Sequence, residues 1–546
     1  MRHNFGFMKT WKLVGLLLLI NTSVMAQTTT SAPNLVVGVV VDQMRWDFLY
    51  RYKDRYTADG FRRLLREGFS CENTFIPYLP TYTAPGHTTV YTGSVPSLHG
   101  ILGNSWYSKA KKRNIYCTED DSVRTVGSSS AAGKMSPKNM LATTITDELR
   151  IATNFRNKTI GIALKDRGAI LPAGHTANAA YWFDNSSGGW ISSTFYMNEL
   201  PGWVAKLNAK KLPDQYLKTD WKTLYPINTY IQSTADATSY ESKLPGEDAM
   251  FDHEVSKIEK NKYESFRYTP LANTYTIEMA KAAIEGEQLG KRGVTDFLTV
   301  SFSPTDYAGH AFGPNSVEVE DMYLRLDREL GAFLKYLDNT IGKGAYLLFL
   351  TADHGVANVP GFMHEHKIPA GEAADASVRK SLNTAIQQQF GVPALVTSVL
   401  NYQVFLDDSL LLQHKLDKKA VKELVIATLL KHPGIDKAVD LEEVGSSPLP
   451  ETVKKVIING YNQRLSGDVQ FVFKPQWFDG WNSGTSHGAW NPYDAHIPLV
   501  WFGWNIKPGK LFREVYMTDI APTLASLLRI QQPNATVGQA IPEVVR

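Results

Sequence analysis

Leu35-Val36-Val37-Gly38-Val39-Val40-Val41 runs without a polar side chain and then stops at Asp42. An unbroken, β-branched apolar run marks a strand buried on both faces, as in a parallel sheet covered by helices. A carboxylate at its carboxyl end lies where open α/β sheets place their ligands, although an Asp there also suits the cap of a following helix. Three further runs repeat the design. Thr159–Leu164 ends in Lys165-Asp166-Arg167, Asp296–Ser303 delivers Thr305, Asp306 and His310, and Ala345–Thr351 ends in Asp353-His354-Gly355. A fifth strand, Ile497–Phe502, follows the Gly-rich loop Thr485-Ser486-His487-Gly488. Strands alternating with helical patterns predict an α/β fold with a doubly wound, mostly parallel sheet.

Helical signals lie between these strands. Phe61, Leu64 and Leu65 space a helix within Asp59–Glu67. Val319, Met322, Leu326, Leu330, Phe333, Leu334 and Leu337 form an apolar stripe behind a cap at Asn315 or Ser316. A closing helix is expected between Tyr516 and Leu528. Two connections exceed simple crossovers. Residues 168–295 are dense in Trp, Tyr, Ser and Gly and read as loop-like. Residues 356–484 carry their own α/β pattern, with a strand near Val399–Leu406, a helix near Asp417–Lys431 and a strand at Val469–Phe473. Both are expected as insertions over the carboxyl edge of a single catalytic domain spanning 27–546.

Residues 1–26 read as a cleaved signal peptide. Arg2, Lys9 and Lys12 precede the apolar run Leu13–Ile20, which is too short to span a bilayer, and Val24-Met25-Ala26 offers a cleavage site. A periplasmic or secreted protein without a membrane span is therefore expected. The 546-residue chain has a formal charge of +3, and setting the basic leader aside brings it near zero. The basic pI of 8.4 therefore gives no ground for expecting a nucleic-acid partner. Its two cysteines, Cys71 and Cys117, can pair in an oxidising compartment, closing a loop worth about 4 kcal/mol.

The stretch Pro80–Asn104 opens with Thr81 and Thr83, and Pro85 suits the first turn of a helix. A hydroxyl before such a turn faces free N–H groups and the positive end of the helix dipole. Taken alone, Thr83 reads as a helix cap. The other strand ends alter that reading. Asp42, Asp306, His310, Asp353, His354 and His487 all fall at or beside strand ends, enough oxygen and nitrogen donors for two metal ions. If Asp306–His310 forms one helical turn, its two ends share a face. Strand alternation would put Lys165 and Arg167 on one face, two cations converging on a multiply charged anion. A metal pair can activate an otherwise poor nucleophile such as Thr83, and phosphoryl transfer needs donors such as Lys165, Arg167 and the Asn104 amide.

Thr83-Ala-Pro-Gly-His87, Thr92-Gly93 and Pro96-Ser-Leu-His-Gly100 resemble the nucleophile segment of the nucleotide pyrophosphatase/phosphodiesterase branch of the alkaline phosphatase superfamily. Asp42, the Asp306/His310 pair, Asp353-His354-Gly and His487-Gly resemble its metal motifs in order, and the likeness runs from Leu35 to the C-terminus. Asn104 with Leu-Lys165-Asp-Arg167 is most similar to PafA-type bacterial alkaline phosphatases. The resemblance implies one zinc ion on Asp306, His310 and His487, and a second on Asp42, Asp353, His354 and Thr83. It also implies attack by Thr83 on small phosphate monoesters, a phosphothreonine intermediate, and phosphoryl contacts from Asn104, Lys165 and Arg167. Three carboxylates also admit calcium or another divalent ion at one site.

A phosphodiesterase on the same fold is the nearest alternative, and a non-catalytic phosphate-ester binding protein a more distant one. A sulfatase would need Cys or Ser where Thr83 stands and Arg where His87 stands. Thr81, His87, His99 and His496 are read as structural.

Overall fold

The computed structural model describes Met1 and residues 32–244, 250–480 and 483–545. The expected leader at 1–26, apart from Met1, lies outside the described residues. At the centre are five parallel strands in the order Tyr346–Thr351, Leu35–Val41, Asp296–Phe302, Thr159–Ala163 and Ala179–Asp184. Leu499–Gly503 joins antiparallel beside Tyr346–Thr351, followed by Phe69–Phe75. Leu35–Val41 is buried along its whole length, as its unbroken apolar character requires.

Register turns this order into a site. Val40 stands opposite Thr351 on one side and Ser301 on the other, and Ser301 stands opposite Ala163. Four neighbouring strands therefore end almost level, about 4.8 Å apart. The residues just past those ends are Asp353, Asp42, Asp306 and Lys165.

The helix Val317–Leu337 is capped by Ser316, whose side chain accepts from the Val319 N–H, and it buries the expected stripe. Residues 168–295 differ from a loop-like insertion. Ala179–Asp184 and Gly189–Ser193 extend the central sheet, and the 17-residue helix Leu271–Glu287 packs into its core. The aromatic density in this stretch is core: Tyr181, Trp182, Trp190 and Tyr275 are among the largest fully buried side chains.

Within 356–484, an antiparallel sheet in the order Val396–Leu400, Gln403–Leu406, Val469–Phe473 and Ile435–Asp440 packs on helices Asp375–Phe390 and Lys418–Leu429 around a second apolar core. The single strand expected near Val399–Leu406 is a hairpin. Asn401 and Tyr402 both take positive φ, +58° and +61°, which is the backbone of a two-residue hairpin turn. Cys71 and Cys117 do not pair. Each is a free thiol buried in a different apolar cluster, and burial pushes both thiols up to about 12.

Candidate metal centre and active site

Thr83 is the first residue of the helix Thr83–Thr92, with extended Tyr82 in the capping position. The cap reading is therefore corrected: Thr83 Oγ1 is 3.3 Å from His354 Nε2, and the helix has no side-chain cap. The residue is 1% exposed.

Asp306 and His310 share one turn of the helix Pro304–Phe312, with Oδ1 and Nε2 3.3 Å apart. His487 Nε2 approaches the same oxygen at 3.7 Å. These three residues form one group able to hold a cation, and Asp42, Asp306 and His354 form another. Asp306 belongs to both groups. Asp353, expected in the second, lies beside it with Oδ2 3.4 Å from His354 Nε2.

The three histidines share one arrangement. His310 Nδ1 faces the Thr485 carbonyl at 2.8 Å, His354 Nδ1 the Gly355 carbonyl at 2.9 Å, and His487 Nδ1 the Thr81 carbonyl at 2.7 Å. A carbonyl only accepts, so each Nδ1 carries a proton and each Nε2 is turned into the site, where burial is outweighed by Asp306, which pushes His310 up toward its protonated form when no metal ion is bound. Each Nε2 faces a carboxylate oxygen, an arrangement satisfied either by a second ring proton or by a cation lying between. Fully buried Asp42 Oδ1 takes no hydrogen bond, while Asp42 Oδ2 and Asp353 Oδ2 meet Lys165 Nζ at 2.8 Å and His87 Nδ1 at 3.2 Å. Burial and Asp353 push the Asp42 carboxyl well up, while burial and the neighbouring His354 and His310 hold His487 well below the usual imidazole range. Imidazoles oriented by carbonyls, crowded buried carboxylates and the unbonded Asp42 Oδ1 fit a two-metal centre.

Lys165 supplies the protein's own cation here. Its Nζ lies 2.8 Å from Asp42 Oδ2 and 2.5 Å from Asp306 Oδ2. Burial raises the Asp306 carboxyl, but Lys165 and His310 outweigh it and hold the group well below the carboxylate range. The expected strand alternation of Lys165 and Arg167 is not found. The strand ends at Ala163, Lys165 occupies the N-cap position of the helix Asp166–Ala173 without capping it by its side chain, and Arg167 lies in that helix's first turn. Asn104 Oδ1 accepts from the Ala84 N–H at 2.9 Å, and Asn104 lines a cavity of ≈ 470 Å³ together with His310, His487, Tyr82, Tyr268 and Asp479.

Residues set aside as structural brace the ligands. His87 Nδ1 lies 2.9 Å from the Thr83 carbonyl and 3.2 Å from Asp353 Oδ2, and Thr81 supplies the carbonyl that orients His487. His99 contacts Thr89 Oγ1, and burial pushes it down to about 3. His496 stacks between Trp46 and Phe75. Sequence reasoning missed Gln43. Its N–H donates to Asp353 Oδ1 at 3.0 Å and its Nε2 to Asp306 Oδ1 at 3.0 Å, from a backbone with φ of +67°. Its place directly after Asp42 was the available signal. Asp494 was missed as well. Its Oδ2 accepts from the Gly488 and Ala489 N–H groups and so pins the His487 loop.

A mostly parallel sheet with carboxylates and imidazoles gathered at its carboxyl edge around a buried Thr is the arrangement of the alkaline phosphatase superfamily. The chain belongs to the type I phosphodiesterase / nucleotide pyrophosphatase family, which it matches over residues 36–490. It is 52% identical to alkaline phosphatase PhoV of Synechococcus elongatus, over 96% of this chain and 95% of that one. It is also 52% identical to a Myroides odoratus protein named calcium-transporting ATPase, over 96% of each. The solved structure of wild-type alkaline phosphatase PafA superposes with a TM-score of 0.93 at 47% identity, covering 94% of this chain and 99% of that one.

Proposed function

We propose that this chain is a two-metal phosphate-monoester hydrolase, an alkaline phosphatase, that uses Thr83 as nucleophile through a phosphothreonine intermediate. The observation that carries the reading is the Thr83 hydroxyl 3.3 Å from His354 Nε2, beside three imidazoles whose Nε2 atoms meet buried carboxylates. Asp306, His310 and His487 would hold one ion, and Asp42, Asp353, His354 and the Thr83 oxygen the other. The oxygen and nitrogen donor set suits zinc, and three carboxylates also accept calcium. When bound, the ions supply Lewis-acid charge at the reacting oxygens.

The chain's own residues set the geometry. The helix that begins at Thr83 points its positive dipole end toward an anion at the hydroxyl, while the Ala84 and Gly86 N–H groups are taken by Asn104 Oδ1 and the Tyr82 carbonyl. His87 holds the Thr83 carbonyl, and Ala84 holds the Asn104 amide by its oxygen, leaving the NH₂ group as the donor. Lys165 and Arg167 add positive charge, which stabilises a dianionic phosphoryl group more than the single charge of a diester. Secretion by a cleaved leader is part of the same proposal. Among the described residues no helix is long and apolar enough to cross a membrane.

A phosphodiesterase is the second reading, favoured by the description of the matched family. Rates on p-nitrophenyl phosphate and on its bis ester separate the two. Faster monoester turnover is expected, and faster diester turnover overturns the assignment. Metal analysis, with activity restored to chelated protein ion by ion, identifies the cofactor.

A further inference from the structure

Arg167 makes no ion pair within 4 Å among the described residues, and its Nε has no hydrogen-bond acceptor. Its neighbour Asp166 does not hold it directly. Arg167 Nη1 instead donates to Tyr116 Oη at 3.1 Å, and Tyr116 Oη donates to Asp166 Oδ1 at 2.8 Å. Thr118 Oγ1 donates to the other Asp166 oxygen at 2.5 Å. Burial and Asp166 push the Tyr116 phenol well above its ordinary range, so it remains a donor.

Tyr116 belongs to the same excursion as Asn104. The chain leaves Asn104, forms the hairpin Ser105–Ser108/Arg113–Tyr116 and returns, where the Cys117 N–H donates to the Asn104 carbonyl at 3.0 Å. One end of this loop holds Asn104 against Ala84, and the other holds Tyr116 against Arg167. Trp106, Ile115 and Cys117 pack with Ala84 of the Thr83 helix and Leu171 of the Asp166 helix. The base of the hairpin thereby packs on both helices that carry the nucleophile and the cation, which also contact each other.

We propose that Tyr116, backed by Asp166 and Thr118, is a positioning residue for Arg167, and that the Asn104–Thr118 excursion sets the preference for monoesters. A carboxylate paired directly with Arg167 would fix the guanidinium but neutralise it and occupy two of its donors. An interposed phenol passes on the orientation through one hydrogen bond and leaves the charge and the remaining donors for an anion. The inference rests on the phosphatase reading above and adds a residue that does not itself touch the substrate.

The test is a double-mutant cycle between Tyr116→Phe and Arg167→Ala, read as kcat/KM on p-nitrophenyl phosphate and on its bis ester, with metal content measured in each variant. Tyr116→Phe is expected to cost about 10- to 100-fold on the monoester, a larger factor than on the diester, as a misaimed group does. In the Arg167→Ala background the same substitution should cost nothing further. An equal loss in both backgrounds, or no loss in either, overturns the positioning role. If Tyr116→Phe fails to fold, Asp166→Asn replaces it in the same cycle with the same expected outcomes. If Arg167→Ala itself leaves monoester turnover unchanged, the phosphatase reading of the cations falls and this inference falls with it. A costly Arg167→Ala beside a silent Tyr116→Phe removes only the inference.

Discussion

His354 Nε2 stands 3.3 Å from Thr83 Oγ1, while its Nδ1 is tied to the Gly355 carbonyl 2.9 Å away. The proton is thus fixed on the far side of the ring, and the lone pair faces the hydroxyl, Asp42 and Asp353. Thr83→Ala should lower turnover by several orders of magnitude in steady-state assays at saturating metal, while the protein stays folded. Thr83→Ser should retain far more activity, because it keeps the oxygen. A Thr83→Ala variant at full rate would remove the nucleophile assignment.

Asp42, Asp306 and Asp353 crowd one buried space with only Lys165 placed between two of them. Chelation should therefore lower the melting temperature, and saturating metal should restore it, by about 4 kcal/mol at a thousandfold excess over Kd. Burial and Asp353 push the Asp42 carboxyl up despite Lys165, so its charge works against folding when no metal ion adds to that one cation. Asp42→Asn should accordingly melt higher than wild type when both are chelated and lower when both are metal-saturated. The same order in both conditions would contradict a ligand role for Asp42.

Lys165→Ala should reduce monoester kcat/KM by a larger factor than diester kcat/KM, since a dianion loses more from the missing cation. Equal factors on the two substrates would contradict the proposed contact. The substitution also leaves Asp42 and Asp306 without their buried partner, which typically costs about 3–5 kcal/mol. Rates are therefore compared at saturating metal and below the variant's melting temperature.

The sheet was legible because its central strands are buried on both faces and leave no room for polar residues until they end. Asp42 and Asp353 stand out for that reason, and Asp306 and His310 stand out by their spacing on one turn. The placement of Lys165 and Arg167 was not legible. Whether the strand continues past Ala163 or turns into a helix depends on packing against neighbours, and the turn carries both side chains away from strand alternation. Gln43 serves the site from a left-handed backbone that local propensity does not announce for Gln. Tyr116 reaches Arg167 across 51 residues of sequence, through the Asn104 loop. Residues 168–295 were misread because their aromatics, which fill the core, lack a clear period of two or of 3.6.

Asp147 offers a pH-dependent test away from the site. Burial raises its carboxyl, but hydrogen bonds from His175, Thr144 and Thr176 outweigh burial and hold it at about 2, below 3.8. A depressed folded-state value stabilises the fold fully above the unfolded value and loses that contribution as pH falls from about 4 toward 2, a loss of about 2 kcal/mol. Asp147→Asn removes the titration. With both proteins chelated, the gap in melting temperature between wild type and variant should be widest above pH 5 and should narrow as pH approaches 2. A gap constant across that range would show that Asp147 is not the titrating group.

Gly309 lies between Asp306 and His310, and a Cβ there would run into the Gln43 side-chain oxygen. That side chain is the one whose Nε2 holds Asp306 Oδ1 at 3.0 Å, so the absence of a Cβ lets the brace approach the metal-binding turn. Gly309→Ala should displace Gln43, destabilise the fold by about 1–3 kcal/mol as overpacking does, and weaken metal binding by the group containing Asp306, His310 and His487. Adding Gln43→Ala removes the clashing atoms, so the double variant should recover stability relative to Gly309→Ala. Metal affinity should not recover, because the Asp306 brace is then gone. Recovery of both would mean that Gln43 only fills space, and recovery of neither would place the strain elsewhere.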